Sequence, residues 1–473
     1  MTIEPAPPQT SDPGLAELAA TVSGVVLAPG EPGYTEECTP FNLAVTHRPA
    51  VVVGAATAAD VQAAVRHARD RGLPVAVMAT GHQTWLSADG AVLVTTRRMS
   101  GVRIDPSTRT ATVGAGVTWQ QVVDAAAPHG LAPLNGSSAT VGVVGYTLGG
   151  GLSPTMGRAF GWAADAVQEM DVVTADGALR RVTADGPDAD LFWGLLGAKG
   201  ALGIVTSMSF RLFPVSRLHA GGLFFAGADA AAVLHAYADL TATAPDELTT
   251  SVALLRMPPL PTVPELLRGR FVVQVRVSHL GTAAAADEVL RPLREAAPLL
   301  VDTVGELPYR EFASIHADPT GPVTVSNRSA LLGPLTHEAV GTLLEWAGDG
   351  AACPVPVLEL RHLGGALARG SEAANATAGR HAEFVLHALV PGTEEQAAPA
   401  LAWTEALVEA LAPAVVPGRN ANFVGAGDVD RQAVAAAHDP STLARLRQVK
   451  RAVDPANTFR LTHDVAPLGS TVR

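Results

Sequence analysis

Three stretches of the 473-residue chain hold residue types able to do chemistry. The first is Thr80-Gly81-His82-Gln83, where a histidine follows an apolar run through a glycine turn. Taken alone, a single histidine of this kind reads as structural or surface. The second is residues 136–151, GSSATVGVVGYTLGGG, with six glycines and no helical period. That pattern predicts a loop, either a flexible turn or one whose unshielded N–H groups approach a pyrophosphate closely. The third is HAEFVLHAL, a strand that puts Glu383, Val385 and His387 on one face because side chains alternate. Glu359 and Arg361 of VLELRHL either line the same pocket or form a salt-bridged sheet face. There is no G-x-G-x-x-G at the first β-α turn, no GKS or GKT phosphate loop, no H-E-x-x-H and no G-x-S-x-G, which disfavours an ordinary dinucleotide fold. Cys38 and Cys353 are too few for a disulfide framework or a thiolate metal cluster, so no metal is expected.

The elements that must position these groups follow from the apolar periods. AVVVGA predicts a strand, and Val61, Ala64, Val65 and Ala68 a helix with Thr57 as N-cap and Gly72 as its stop. PVAVMAT then predicts a second strand, giving a β-α-β start. AVLVTT and a hairpin over VRIDPSTRTATVGAGV follow, then a helix from Trp119 to about His129. MDVVTADG, LRRVT and GAKGALGIVTSMSFRLFP close a first region near Pro214. Residues 215–410 alternate strands (FVVQVRVS, VPVLELRHL, EFVLHALV) with alanine-rich helices at 227–243, 283–297 and 335–347. This predicts an antiparallel sheet covered by helices on one face. The tail carries a helix, STLARLRQVKRAV, stopped at Asp454-Pro455.

Composition bounds the function. Forty-eight per cent hydrophobic residues against 16% charged excludes a disordered chain. A net charge of −12 without a basic run argues against nucleic acid and anionic membranes as partners. No apolar run approaches the ~20 residues that span a bilayer. The opening MTIEPAPPQTSDPG lacks the pattern of a secretory signal, and a cytoplasmic protein is expected.

In chain order, RPAVVVGAATAADVQAAVRHARDRGLPVAVMATGHQ, TVGVVGYTLGGGLSPTMGRAFG, EMDVVTADG, DADLFWGLLGAKGALGIVT, LRHLGGALAR, NFVGAGD and VKRAVDPANTFRLTHD resemble the flavoproteins of the vanillyl-alcohol oxidase and p-cresol methylhydroxylase family. They are most similar to the berberine bridge enzyme-like branch. The likeness runs from about Tyr34 to Asp464. It implies an α+β fold: a split FAD-binding domain of two α/β subdomains, residues 1–214 and 411–473, with a substrate domain, 215–410, between them. It implies FAD joined covalently through His82, which makes the flavin a stronger oxidant. The cofactor contacts it implies are Thr80, Gly81, Gln83, Ser138, Thr140, Val141, Gly142, Gly145, Gly149, Gly150 and Gly151. Gly203, Ile204 and Val205 are implied against the adenine side, and Asn422 and Phe423 at the flavin edge. On the substrate side it places a proton-accepting group at Glu383.

Four departures from the family pattern matter. Ser138 stands where bicovalent members have cysteine, so one flavin bond is expected. Met78 replaces an arginine. Ala201 and Leu202 replace a polar and an aromatic residue. Asn420 occupies a position where many relatives have a catalytic tyrosine. The resemblance implies an oxidase of a small organic alcohol or amine that returns electrons to dioxygen. Bacterial natural-product biosynthesis is the expected setting, the alanine-rich composition being that of a high-GC source. A sugar or oligosaccharide oxidase and a redox-neutral cyclase or isomerase are the alternatives.

Overall fold

The structure is a computed structural model that describes residues 13–466; most of the opening stretch weighed above for a signal lies outside them. Three sheets organise the chain. The first joins β1 (Val25–Leu27), β2 (Val51–Gly54), β3 (Val75–Met78) and β4 (Val92–Thr95) in the order β1-β2-β4-β3, with β2 and β3 both parallel to β4. The helix Ala58–Asp70 makes the crossover from β2 to β3. Thr57 caps it as expected, its side chain accepting from the Asp60 N–H while the Asp60 carboxylate accepts from the Thr57 N–H. Val61, Ala64, Val65 and Ala68 are buried in one core with Val51, Val53 and Phe459, so the far end of the chain closes this unit.

The second sheet is antiparallel: β5 (Val102–Asp105), β6 (Thr110–Gly114), β7 (Val167–Val173), β8 (Leu179–Thr183) and β9 (Ile204–Arg211), in the order β5-β6-β9-β7-β8. The segment expected to be a loop at 136–151 contains one helical turn, Val143–Thr147. Glycines flank this turn more than they interrupt it. Val143, Val144 and Leu148 are buried in the same core as β6, β7 and β9, and that burial holds the turn helical.

The third sheet comprises β10 (Arg217–Ala226), β11 (Leu248–Arg256), β12 (Phe271–His279), β13 (Leu299–Asp302), β14 (Gly305–Pro308), β15 (Val325–Leu332), β16 (Val357–His362) and β17 (Phe384–Pro391). Its order is β13-β10-β12-β11-β16-β17-β15, with β14 beside β10, and its pairings are antiparallel. Phe384, Leu386, Ala388 and Val390 pack beneath the helices Ala230–Thr243, Ala283–Ala296, His337–Ala347 and Glu394–Ala410. Val385 instead joins the core of the second sheet, confirming the alternation read from HAEFVLHAL. Glu383 lies one residue before the strand. After residue 410 the chain returns, and Phe423, Leu446 and Val449 pack into that same core. No helix among the described residues is long and apolar enough to cross a membrane.

Candidate active site

The His82 turn leaves the end of β3 and is fixed by backbone geometry. Gly81 has φ +75°, and a Cβ there would lie 2.5 Å from the Pro40 side chain, so the position demands glycine. The N–H groups of Phe41 and Asn42 donate to the carbonyls of Thr80 and Gly81 at 2.9 and 3.0 Å, anchoring the turn to the preceding segment. Met78 is buried below it, filling by packing the place where an arginine was expected.

His82 stacks on Phe41 with ring centroids 3.7 Å apart. Its Nδ1 lies 3.0 Å from Thr80 Oγ1 and its Nε2 3.0 Å from Thr140 Oγ1. Thr140 Oγ1 is in turn 3.2 Å from Ser138 Oγ, so the hydroxyl of Ser138 stands one threonine away from the imidazole. Burial pushes His82 down to about 4, against a weaker opposing pull from Asp318. At neutral pH the ring is therefore uncharged and keeps a nitrogen lone pair.

Behind His82, three distant segments meet at Lys199, a residue the sequence reading did not single out. Its ammonium donates to Gln83 Oε1 and Asn422 Oδ1, and it lies 3.5 Å from the Gly145 carbonyl. Asn422 Nδ2 donates to the Tyr146 carbonyl at 2.8 Å, and Gln83 Nε2 to the Ala421 carbonyl at 2.9 Å. A Cβ at Gly149 would sit 2.2 Å from Asn422 Oδ1, so a glycine there lets the two segments touch. Lys199 has no carboxylate partner among the described residues, and burial lowers its ammonium to about 7.

Gly150, expected among the cofactor contacts, is buried and has both backbone polar groups engaged by protein. Its N–H donates to the Thr147 carbonyl at 3.0 Å, and its carbonyl accepts from the Ala164 N–H at 2.9 Å. A Cβ there would meet Thr377 Cγ2 at 2.7 Å. Gly150 thus shapes the loop against its neighbours and offers no free N–H donor. The carbonyl of Gly151 is likewise taken, by the Ala163 N–H at 2.9 Å.

Gly203 passes close under Val172, and Ile204 and Val205 are buried at the start of β9. Lys450 is buried and donates to the Ala201 carbonyl at 2.7 Å and to Asp454 Oδ2 at 2.7 Å, tying the GAKGALG loop to the tail.

The opposite wall is the open face of the third sheet. Ser251, Arg276, Glu359, Arg361 and His387 share it, with His316 reaching in from the segment before β15. Glu359 accepts from Ser251 Oγ at 2.7 Å, Arg276 Nη1 at 2.7 Å and Arg361 Nε at 2.9 Å. Burial alone would raise its carboxyl, but Arg361 and Arg276 override it and hold it well below the carboxylate range. Burial, reinforced by Arg361, lowers His387 to about 4. The charge on this face was foreseen at Glu359 and Arg361; Arg276 and His316 were not.

Phe423 joins the two walls. Arg361 Cζ lies 5.1 Å above its ring, the His387 ring meets it edge-on at 5.0 Å, and Asn327 Nδ2 donates to its carbonyl at 2.8 Å. Asn420, just before it, is buried, with Oδ1 accepting from the Asn422 N–H at 2.9 Å and Nδ2 without a partner. The structure thus brings Asn420, Asn422 and Phe423 together with the glycine loops and with His387. Glu383 does not join this group: four residues from His387, about 13 Å along an extended strand, it acts electrostatically on Arg158. Val141 is half-buried against the loop core, its carbonyl accepting from the Trp119 N–H at 3.0 Å.

These residues suit FAD. Gly145 faces open space where a Cβ would meet nothing within 4 Å, and the buried Tyr146 Oη, Asn420 Nδ2 and His387 Nδ1 have no partner. A half-buried ammonium held by amide oxygens suits an anionic group such as a diphosphate.

Residues 49–183 match the FAD binding domain family. The chain is 26% identical to (R)-6-hydroxynicotine oxidase of Paenarthrobacter nicotinovorans, the match covering 95% of this chain and 98% of that protein. It superposes on 6-hydroxy-D-nicotine oxidase from Arthrobacter nicotinovorans with a TM-score of 0.81 at 25% identity, covering 94% and 98% of the two chains. Xylooligosaccharide oxidase from Myceliophthora thermophila gives a TM-score of 0.83 at 21% identity over 96% and 99%, a likeness of fold.

Proposed function

We propose that this FAD-dependent oxidoreductase is of the vanillyl-alcohol oxidase and p-cresol methylhydroxylase type, in the berberine bridge enzyme-like branch, and that it oxidises a small organic alcohol or amine with FAD joined to His82 and dioxygen as final acceptor. The observation that carries this reading is the uncharged His82 imidazole, half-buried and oriented through both ring nitrogens by Thr80 and Thr140. Bound FAD supplies a two-electron acceptor. The chain's own groups do the rest: Gln83, Gly145, Lys199 and Asn422 hold the cofactor, and the sheet face holds the substrate. The setting remains bacterial natural-product biosynthesis, and the split at about 214 and 410 is the proposed domain division.

A substrate O–H or N–H proton needs an acceptor. His387 supports that role by its neutral ring and its place against Phe423; Glu383, on the same strand face, is the other candidate. The sugar-oxidase alternative draws on likeness of fold alone.

The test is direct. Purified protein should be yellow and keep its flavin on the polypeptide after acid denaturation, and His82→Ala should release it. Substrates that bleach the flavin anaerobically should yield peroxide in air; flavin still attached in His82→Ala refutes the linkage, and turnover without peroxide refutes the oxidase assignment.

A further inference from the structure

We infer that the substrate carries a carboxylate, seated between Arg276 and Arg361 in the cavity on the face of the third sheet; this rests on the reading just given. The cavity is lined by Ser153, Thr249, Arg276, His316 and Arg361 among others. Its walls hold more positive charge than the protein neutralises. Arg276 and Arg361 line it and Arg158 lies behind it against His362, with one buried carboxylate, Glu359, between the first two.

Arg158 is satisfied by main chain, donating to the carbonyls of Leu248, Ala244 and Leu363. Glu359 then balances one of the two remaining guanidiniums. His316, His362 and His387 add no negative charge, and burial keeps all three imidazoles neutral. Three other carboxylates lie nearby. Asp318, partly exposed, acts on His82 and His387. Asp246 is paired with Arg369, and both Asp246 and Glu383 act on Arg158. None of the three is hydrogen-bonded to Arg276 or Arg361 among the described residues.

The surplus charge also comes with unused donors. Arg276 Nε and Thr249 Oγ1 are buried without a partner. Arg361 spends its one hydrogen bond among the described residues through Nε, leaving its Nη groups to the cavity. A planar guanidinium fork matches a carboxylate in two parallel hydrogen bonds, and a buried donor left without a partner carries its desolvation cost until an acceptor arrives.

The holoenzyme tests this through its own flavin spectrum, with benzoate as probe and benzamide as its uncharged isostere. Benzoate should perturb the spectrum at concentrations at least tenfold lower than benzamide. Arg361→Gln should weaken benzoate about 10–100-fold, the range for one charge-assisted hydrogen bond. Glu359→Gln, which adds to the surplus, should tighten it. Changes of opposite sign are the signature, because a merely structural cluster would lose affinity in both variants. Equal binding of benzoate and benzamide by the wild type, which needs no variant to fold, overturns the proposal.

Anaerobic bleaching with paired amines and alcohols, with and without a carboxylate, separates this from the parent reading. Equal bleaching by the uncharged members overturns the carboxylate and leaves the oxidase. Benzoate binding without bleaching by any compound does the reverse.

Discussion

Attachment of flavin to His82 requires an uncharged ring, and the structure sets the pH range over which it is uncharged. With His82 lowered to about 4 by burial, about 97% of the rings are neutral at pH 5.5, against roughly 9% for an imidazole at its ordinary value near 6.5. Covalent incorporation into flavin-free protein should therefore run at nearly the same rate at pH 5.5 and pH 7.5, where an unshifted histidine would slow about tenfold. The assay mixes flavin-free protein with FAD, quenches with acid and counts the flavin precipitated with the chain; His82→Ala, treated in parallel, reports non-covalent uptake at each pH. A tenfold slower covalent phase at pH 5.5 with unchanged uptake would refute the reasoning. The same shift has a stability consequence of definite sign. Between about pH 6.5 and 4 the unfolded chain binds a proton at residue 82 that the folded one does not, so stability falls as pH drops through that window. The loss attributable to His82 is at most about 3 kcal/mol, is complete near pH 4, and should vanish in His82→Ala.

Peptide mapping should find a single flavin attachment, because the Ser138 hydroxyl is a poor nucleophile beside a thiolate; a flavinylated peptide at residue 138 contradicts this. Flavin reduction by substrate should slow about 10²–10⁴-fold in His387→Gln with bound flavin retained, and little in Glu383→Gln; the opposite ranking in stopped flow returns the role to Glu383. Val141→Leu adds one methylene to the half-buried loop position expected at the flavin edge, so reoxidation by dioxygen should slow while reduction by substrate persists. Equal oxygen rates would make Val141 ordinary packing, and a wild type itself sluggish with oxygen would make the enzyme a dehydrogenase. Lys450→Met leaves Asp454 buried without its cation and should cost about 3–5 kcal/mol, seen as a lowered melting temperature; an unchanged melt would show that the pair contributes little.

Local patterns made the fold legible. The crossover helix was readable because Thr57, the 3.6-residue apolar period and Gly72 act within a few turns of one another. The His82 turn was readable because glycine and histidine are adjacent. The run Gly149-Gly150-Gly151 was legible as a place of close approach, but not which of its glycines faces protein: the partners of Gly150 include Thr377, more than 200 positions on. The sheet-face cluster was only half legible: its members lie far apart in sequence, Arg276 standing 83 residues from Glu359. A local signal did exist in FVVQVRVSH, where Gln274, Arg276 and Ser278 interrupt a valine strand at alternate positions, all of them buried. Polar groups on a buried strand face need partners, so that alternation marked Arg276 as paired. Lys199 stands within GAKGALG, and its importance depends on partners 116 and 223 residues away that no local period reveals.

Those separations also explain why the two walls of the site form together. Asn420–Phe423 reaches the glycine loops through Asn422 and the substrate sheet through Phe423, so neither wall is complete until the tail has returned across both. Each wall then presents a cation without a full complement of negative charge: Lys199 among amide oxygens on the loop side, and the surplus guanidinium beside Glu359 on the sheet side. Interaction with an anion stabilises each more than water does at such burial. The same short segment touches both, Asn422 bonding Lys199 and Phe423 lying under Arg361. Loss of Asn422 should accordingly weaken flavin retention and carboxylate binding together, whereas loss of Arg361 should touch only the second.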